Sequence, residues 1–138
     1  VHRIAVESIA GLLEADEPAF FTPQNVAEFW NVATRPNVNN GLGLSVSQTL
    51  AEVTKFERFL TLLPDSSAVY PEWRRLVSTH AVTGVKVHDA RLVAAMNVHR
   101  ISRLLTFNVS DFARYAVETL DPVRLASCAM NQGRTVET

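Results

Sequence analysis

Three carboxylates and one amide hold positions from which they could do chemistry together: Glu28, Asp89, Asp111 and Asn108. Each lies just beyond a short apolar run or at the opening of a helix. Ala19-Phe20-Phe21 is followed by a helix that bears Glu28, and Leu104-Leu105-Thr106-Phe107 leads into Asn108 and Asp111. Asp89 stands near the start of a helix opening at about Val87. In an open parallel α/β sheet, ligands bind beyond the carboxyl ends of the strands, so these residues belong to one expected edge. Mg²⁺ and Mn²⁺ are hard cations that take oxygen ligands, and phosphodiester hydrolysis uses one or two of them to activate water and stabilise the leaving oxygen. Clustered carboxylates repel one another unless a cation neutralises them.

Each residue also has a plainer role. Asp89 suits a helix amino terminus by its charge alone, Asp111 could cap the short helix after Phe107, and Glu28 could be a surface charge. Other chemistries have less support. His80 and His88 are eight residues apart, and no H-x₃₋₅-H pair occurs. Glycine-rich phosphate loops, a G-x-S-x-G elbow and paired thiols are all lacking. Carboxylate–metal chemistry is the option the residues favour.

The elements that must position these groups alternate between helix and strand. Ile4, Ile9, Leu12 and Leu13 place a helix over 2–14, and Ala19–Phe21 reads as a buried strand. Thr22 caps the next helix with Pro23 at its first position. Val26, Phe29 and Trp30 mark one face of it, and Arg35-Pro36 ends it. Asn37–Leu44 is a loop, and Ser45 with Gln48 forms a capping box. The helix that follows is expected to carry Val46, Leu50, Val53, Phe56, Leu60 and Leu63 as far as Pro64. A helix from Pro71 should bury Trp73, Leu76 and Val77, and one over Val87–His99 should bury Leu92, Val93 and Met96. A strand at Leu104–Phe107, a brief helix from Ser110 and an extended segment at Val117–Leu120 complete the reading. Helices between short apolar strands imply a parallel sheet covered on both faces.

The composition fits this class. The 138 residues are 47% apolar and 20% charged, and the length suits a single domain. No apolar stretch reaches the roughly 18 residues of a membrane span, and VHRIAVESIA lacks the apolar core of a secretory signal. The single cysteine, Cys128, fits a reducing compartment, so a cytoplasmic location is expected. Val1 is not a start methionine, and residues upstream of it are expected. The net charge is −1, but from Arg74 to Arg103 six Lys/Arg (Arg74, Arg75, Lys86, Arg91, Arg100, Arg103) face one acid, Asp89. A local basic surface of this kind can hold a phosphate backbone; it can equally be a solvated helix face.

The segments VHDARLVAAM and LLTFNVSDFARY resemble the carboxy-terminal half of a PIN domain, and FFTPQNVAEFWNVATRP resembles that family's second strand and glutamate-bearing helix. The resemblance runs from about Val1 to Pro122. It implies a three-layer α/β/α fold with a central, mainly parallel sheet, forming one nuclease domain over 1–138 with an acidic Mg²⁺ or Mn²⁺ site. Glu28 and Asp89 match the family's second and third acidic residues. The fourth falls in TFNVSDF, where Asn108 matches the first polar position and Asp111 the second. Thr106 resembles a threonine or serine that positions water or phosphate, while Arg91 and His88 would contact the RNA substrate. Members often act as homodimers, and many are ribonuclease toxins of the VapC type, held in check by an antitoxin protein. The family's first strand, ending in an aspartate, is not represented, because residues 1–13 match the helix after it.

Two other classes remain open on the residues alone. One is a PIN-like module that binds RNA or protein without cutting, with RNA binding indifferent to EDTA. The other is an unrelated α/β phosphohydrolase acting on small phosphomonoesters. Phe29, Trp30 and Trp73 are aromatics that could dock a partner, although aromatics at helical spacing are more often core.

Overall fold

A computed structural model describes residues 16–132 of the chain. The helix expected over 2–14 lies outside the described residues. Those described form two compact units, one from Pro18 to Ser66 and one built from Ser67 onward together with Asp16 and Glu17.

The first unit pairs β1 (Phe20–Phe21) with β2 (Thr61–Leu62) in parallel, Phe20 opposite Thr61 and Phe21 opposite Leu62. Between them run α1 (Pro23–Thr34) and α2 (Val46–Phe59). Both helices start where the side chains dictate. Thr22 Oγ1 accepts from the Asn25 N–H while the Asn25 side chain accepts from the Thr22 N–H, and Ser45 and Gln48 repeat the exchange on α2. Such reciprocal caps satisfy donors that a helix start otherwise leaves open. Phe29 and Phe56 meet edge to face with centroids 5.1 Å apart, and the core comprises Ala33, Val53 and the fully buried Thr49. Thr49 tolerates burial because its hydroxyl donates to the Ser45 carbonyl at 2.8 Å. The loop between the helices folds back on Arg35, and a Cβ at Gly41 would lie 1.9 Å from the Arg35 carbonyl oxygen. Only glycine fits there.

The helical pattern expected to run on through Leu60 and Leu63 stops earlier. Helix α2 ends at Phe59, and Thr61–Leu62 becomes a strand. The Thr61 N–H donates to the Ala19 carbonyl at 2.9 Å and the Leu63 N–H to Phe21 at 2.8 Å. Apolar spacing cannot distinguish the end of a helix from a short strand when the deciding hydrogen bonds come from a segment forty residues away.

The second unit contains α3 (Val69–Thr79), α4 (Val87–Val98), β3 (Arg103–Leu105), β4 (Glu118–Leu120) and α5 (Pro122–Gln132). Helix α3 begins two residues ahead of the expected Pro71, which sits in its first turn, where a missing N–H costs nothing. Helix α4 buries Ala90, Val93, Ala94, Ala95 and Met96, while Leu92, expected on the inner stripe, is only partly buried against the core. With Val69, Leu76, Phe112 and Tyr115 these make the core, and Trp73 and Val77 pack against it. Strands β3 and β4 are parallel, Leu104 opposite Thr119 and Leu105 opposite Leu120. Their connection contains a single 3₁₀ turn, Val109–Phe112, where a brief helix from Ser110 was expected. Helix α5 had no sequence-based expectation, although Asp121-Pro122 announces it: Asp121 Oδ1 accepts from the Val123 N–H at 2.9 Å. The fold class is α/β with parallel strand pairing, and among the described residues the strands form two separate two-stranded pairs.

Candidate functional site

Asp89 and Asp111 reach the same place from two elements separated by β3. Asp89 is in the first turn of α4. Asp111 sits in the 3₁₀ turn after β3, between a backbone bond of its own N–H to the Asn108 carbonyl (3.0 Å) and the buried Phe112. Phe112 drives this placement, since its ring enters the core beside Tyr115 and leaves the preceding residue at the rim.

Between the two carboxylates stands Lys86. Its Nζ is 2.8 Å from Asp111 Oδ1 and 3.7 Å from Asp89 Oδ2. Lys86 closes the short turn Gly84–Lys86 that leads into α4, a turn opened by Gly84 at φ +60°. That left-handed backbone is the conformation glycine takes at no steric cost. The Lys86 ammonium is held above its ordinary pKa, first by the hydrogen bond to Asp111, then by the charges of Asp111 and Asp89; partial desolvation and Arg114 oppose the shift. The neighbouring Tyr115 phenol is also pushed up, chiefly by burial and further by Asp89, with Arg114 acting the other way. Lys86, Asp89, Asp111, Arg114 and Tyr115 therefore share one electrostatic neighbourhood.

The remaining residues singled out from sequence fall as follows. The Asn108 N–H donates to Thr106 Oγ1 at 3.1 Å, and its carbonyl accepts from Asp111, so Asn108 and Thr106 shape the turn that carries the aspartate. Thr106 also extends the β3–β4 ladder, its N–H donating to the Leu120 carbonyl. His88 is exposed and Arg91 half-buried on α4, either side of Asp89 and one helical turn apart. Glu28 belongs to the other unit, on α1, where it is exposed and accepts from Gln24 Nε2 at 2.9 Å. Among the described residues, no three of His, Cys, Asp and Glu gather closely enough to hold an ion. The acidic pair is thus Asp89 with Asp111, and a cation already lies against it. Two adjacent carboxylates with hard oxygen donors and a shared cation position suit a divalent ion as part of its ligand set.

The basic stretch is less positive than its composition. Arg75 pairs with Glu72 at 2.6 Å, Lys86 with Asp111, and Arg103 with Glu17. Three of the six cations are matched by carboxylates that lie outside the Arg74–Arg103 window. Glu72 also accepts from Asn97 Nδ2 at 3.0 Å, beside a shallow depression of about 320 Å³ lined by Glu72, Arg75, Asn97 and Val98. The Arg75 hydrogen bond, foremost, and that of Asn97 hold the Glu72 carboxyl below its usual range against the opposing effect of burial. Trp73, a docking candidate by sequence, is engaged internally: its Nε1 donates to the Val87 carbonyl at 2.9 Å and ties α3 to the start of α4. Phe29 likewise packs on Phe56.

In the sequence, Lys86 is one basic residue among the six from Arg74 to Arg103. Its place three residues before Asp89, adjacent on a helical turn, was the available signal. Its contact with Asp111 left no local trace.

The family model described as PIN domain matches residues 2–118, which takes in both aspartates, Lys86, Asn108, Thr106 and Glu28. No curated protein matches the chain, and no solved structure does.

Proposed function

This chain belongs to the PIN domain family, whose general chemistry is nucleic-acid cleavage, and we propose that it is a Mg²⁺- or Mn²⁺-dependent endoribonuclease. The observation that carries the reading is the convergence of Asp89 and Asp111 on a single cation position. In this proposal both aspartates would hold the ion, with Asn108 as a further ligand, in a nuclease domain of the three-layer α/β/α class. When bound, the ion supplies Lewis-acid activation of water and neutralises charge developing on the phosphate. The chain's own groups do the rest. Arg91 and His88 hold the RNA backbone by charge and hydrogen bonding. Thr106, whose oxygen already accepts from the Asn108 N–H, directs its hydroxyl proton toward a phosphate oxygen or the attacking water. Hydrolysis breaks one P–O bond, with water adding at phosphorus and a proton passing to the departing oxygen.

The proposal extends to a cytoplasmic toxin of the VapC type, acting as a homodimer and restrained by an antitoxin protein. Its support is the match to a family many of whose members are such toxins. None of the helices in the described residues is long and apolar enough to cross a membrane.

The test is incubation of the full chain with structured RNA and Mn²⁺, with EDTA and with the Asp89→Asn and Asp111→Asn variants. Cleavage should disappear with EDTA and fall at least about 100-fold in each variant, as expected for loss of a ligand to a catalytic ion. Cleavage by Asp89→Asn at the unmodified rate would refute the site assignment. RNA binding indifferent to EDTA, with no cleavage, would favour a binding module instead.

A further inference from the structure

We propose that Lys86 is an internal counter-ion that sets how tightly the Asp89–Asp111 pair takes up a divalent cation. The inference rests on the metal-site reading above and goes beyond it, because it concerns a residue that is not a ligand. Its basis is geometric. One ammonium lies 2.8 Å from Asp111 Oδ1 and 3.7 Å from Asp89 Oδ2, so any other cation held by these oxygens competes with it directly. The two contacts come from different parts of the chain, Asp89 one helical turn along and Asp111 beyond β3. Lys86 therefore joins the start of α4 to the turn after β3.

The physical consequence has two parts. Without a divalent ion, the ammonium offsets the repulsion between the two carboxylates and keeps them together. With a divalent ion, a positive charge beside it becomes unfavourable, and Lys86 must turn away into solvent. Its exposure makes this possible, since the side chain is 41% accessible and sits on a flexible stem next to the exposed Val85. Arg114 adds positive charge to the same neighbourhood and weakens the hold of the site on either cation. Uptake of the ion and displacement of Lys86 are then one exchange, and the pair is preassembled at the expense of affinity.

The experiment is Mn²⁺ titration of the full-length chain by calorimetry, comparing the unmodified protein with Lys86→Gln, Lys86→Ala and Lys86→Arg, each checked for folding by circular dichroism. Removing the charge should tighten Mn²⁺ binding by about threefold to tenfold, the scale of one or two exposed ion pairs. Lys86→Arg should bind like the unmodified protein. The difference between Lys86→Gln and the unmodified chain should shrink as NaCl rises, because salt screens exposed charges. Equal or weaker Mn²⁺ binding by folded Lys86→Gln and Lys86→Ala would overturn the counter-ion role while leaving the metal site standing. Absence of Mn²⁺ binding in all four proteins would overturn both. Asp111→Asn, which removes a carboxylate from the site, should bind Mn²⁺ weakly whether or not Lys86 is present.

Discussion

Replacing Trp73 by phenylalanine removes the indole N–H that holds α3 to the first residue of α4, at the end from which Lys86 and Asp89 project. The bond to the Val87 carbonyl is 2.9 Å long and partly buried. A bond of this kind contributes about 1 kcal/mol net. The smaller ring also gives up apolar contact with the α3–α4 core, where Trp73 packs half-buried, for about another 1 kcal/mol. The expected loss is therefore about 2 kcal/mol, or about 7 °C in Tm for a chain of this length. Urea unfolding followed by far-UV circular dichroism is the suitable assay, because the substitution removes one of only two tryptophans and would distort a fluorescence comparison. The midpoint should fall with the slope unchanged, since the extent of surface exposed on unfolding stays the same. A change below about 0.5 kcal/mol would refute the reasoning, because a surface-like value of that size means the indole bond does not anchor the helix start. A fall in slope would refute it differently, by showing that the two helices separate before the rest.

Two further outcomes follow from the core and from the acidic side of α3. Val93→Ala, at a side chain only 1% exposed, should cost about 2 kcal/mol through lost burial and the remaining cavity; denaturant melts showing less than half of that would mean the core collapses around the gap. Glu72 has a folded-state pKa below its ordinary 4.5. Its contribution is therefore present above that value and is lost as the pH falls through the folded value. The stability difference between the unmodified protein and Glu72→Gln should accordingly be constant near neutrality and vanish in acid, and thermal melts from pH 7 to pH 3 showing a constant difference would contradict the sign.

Local signals made much of this protein legible. Thr22-Pro23, with Asn25 closing the box, and Ser45 with Gln48 define helix starts because a cap is made by residues three apart, whatever surrounds them. Arg35-Pro36 ends α1 for an equally local reason, the steric demand of the proline ring. The positions of Asp89 in a first helical turn and of Asp111 just after a strand were readable in the same way. Helix α5 is also locally announced, by Asp121-Pro122 at its start.

What tertiary structure alone decided is which of these groups meet. Thr61–Leu62 is a strand only because Phe20–Phe21 supplies its hydrogen-bond partners from across two helices. The cations of the Arg74–Arg103 stretch lost much of their net charge to Glu72, Asp111 and Glu17, and the last two of these come from distant segments. Lys86 became part of the site because Phe112 and Tyr115 bury themselves against α4 and bring Asp111 within 2.8 Å of its ammonium. Caps and breaks follow from sterics and hydrogen bonds within a few residues. An ion pair spanning 25 residues depends on how the core between its partners closes, and no local pattern encodes that.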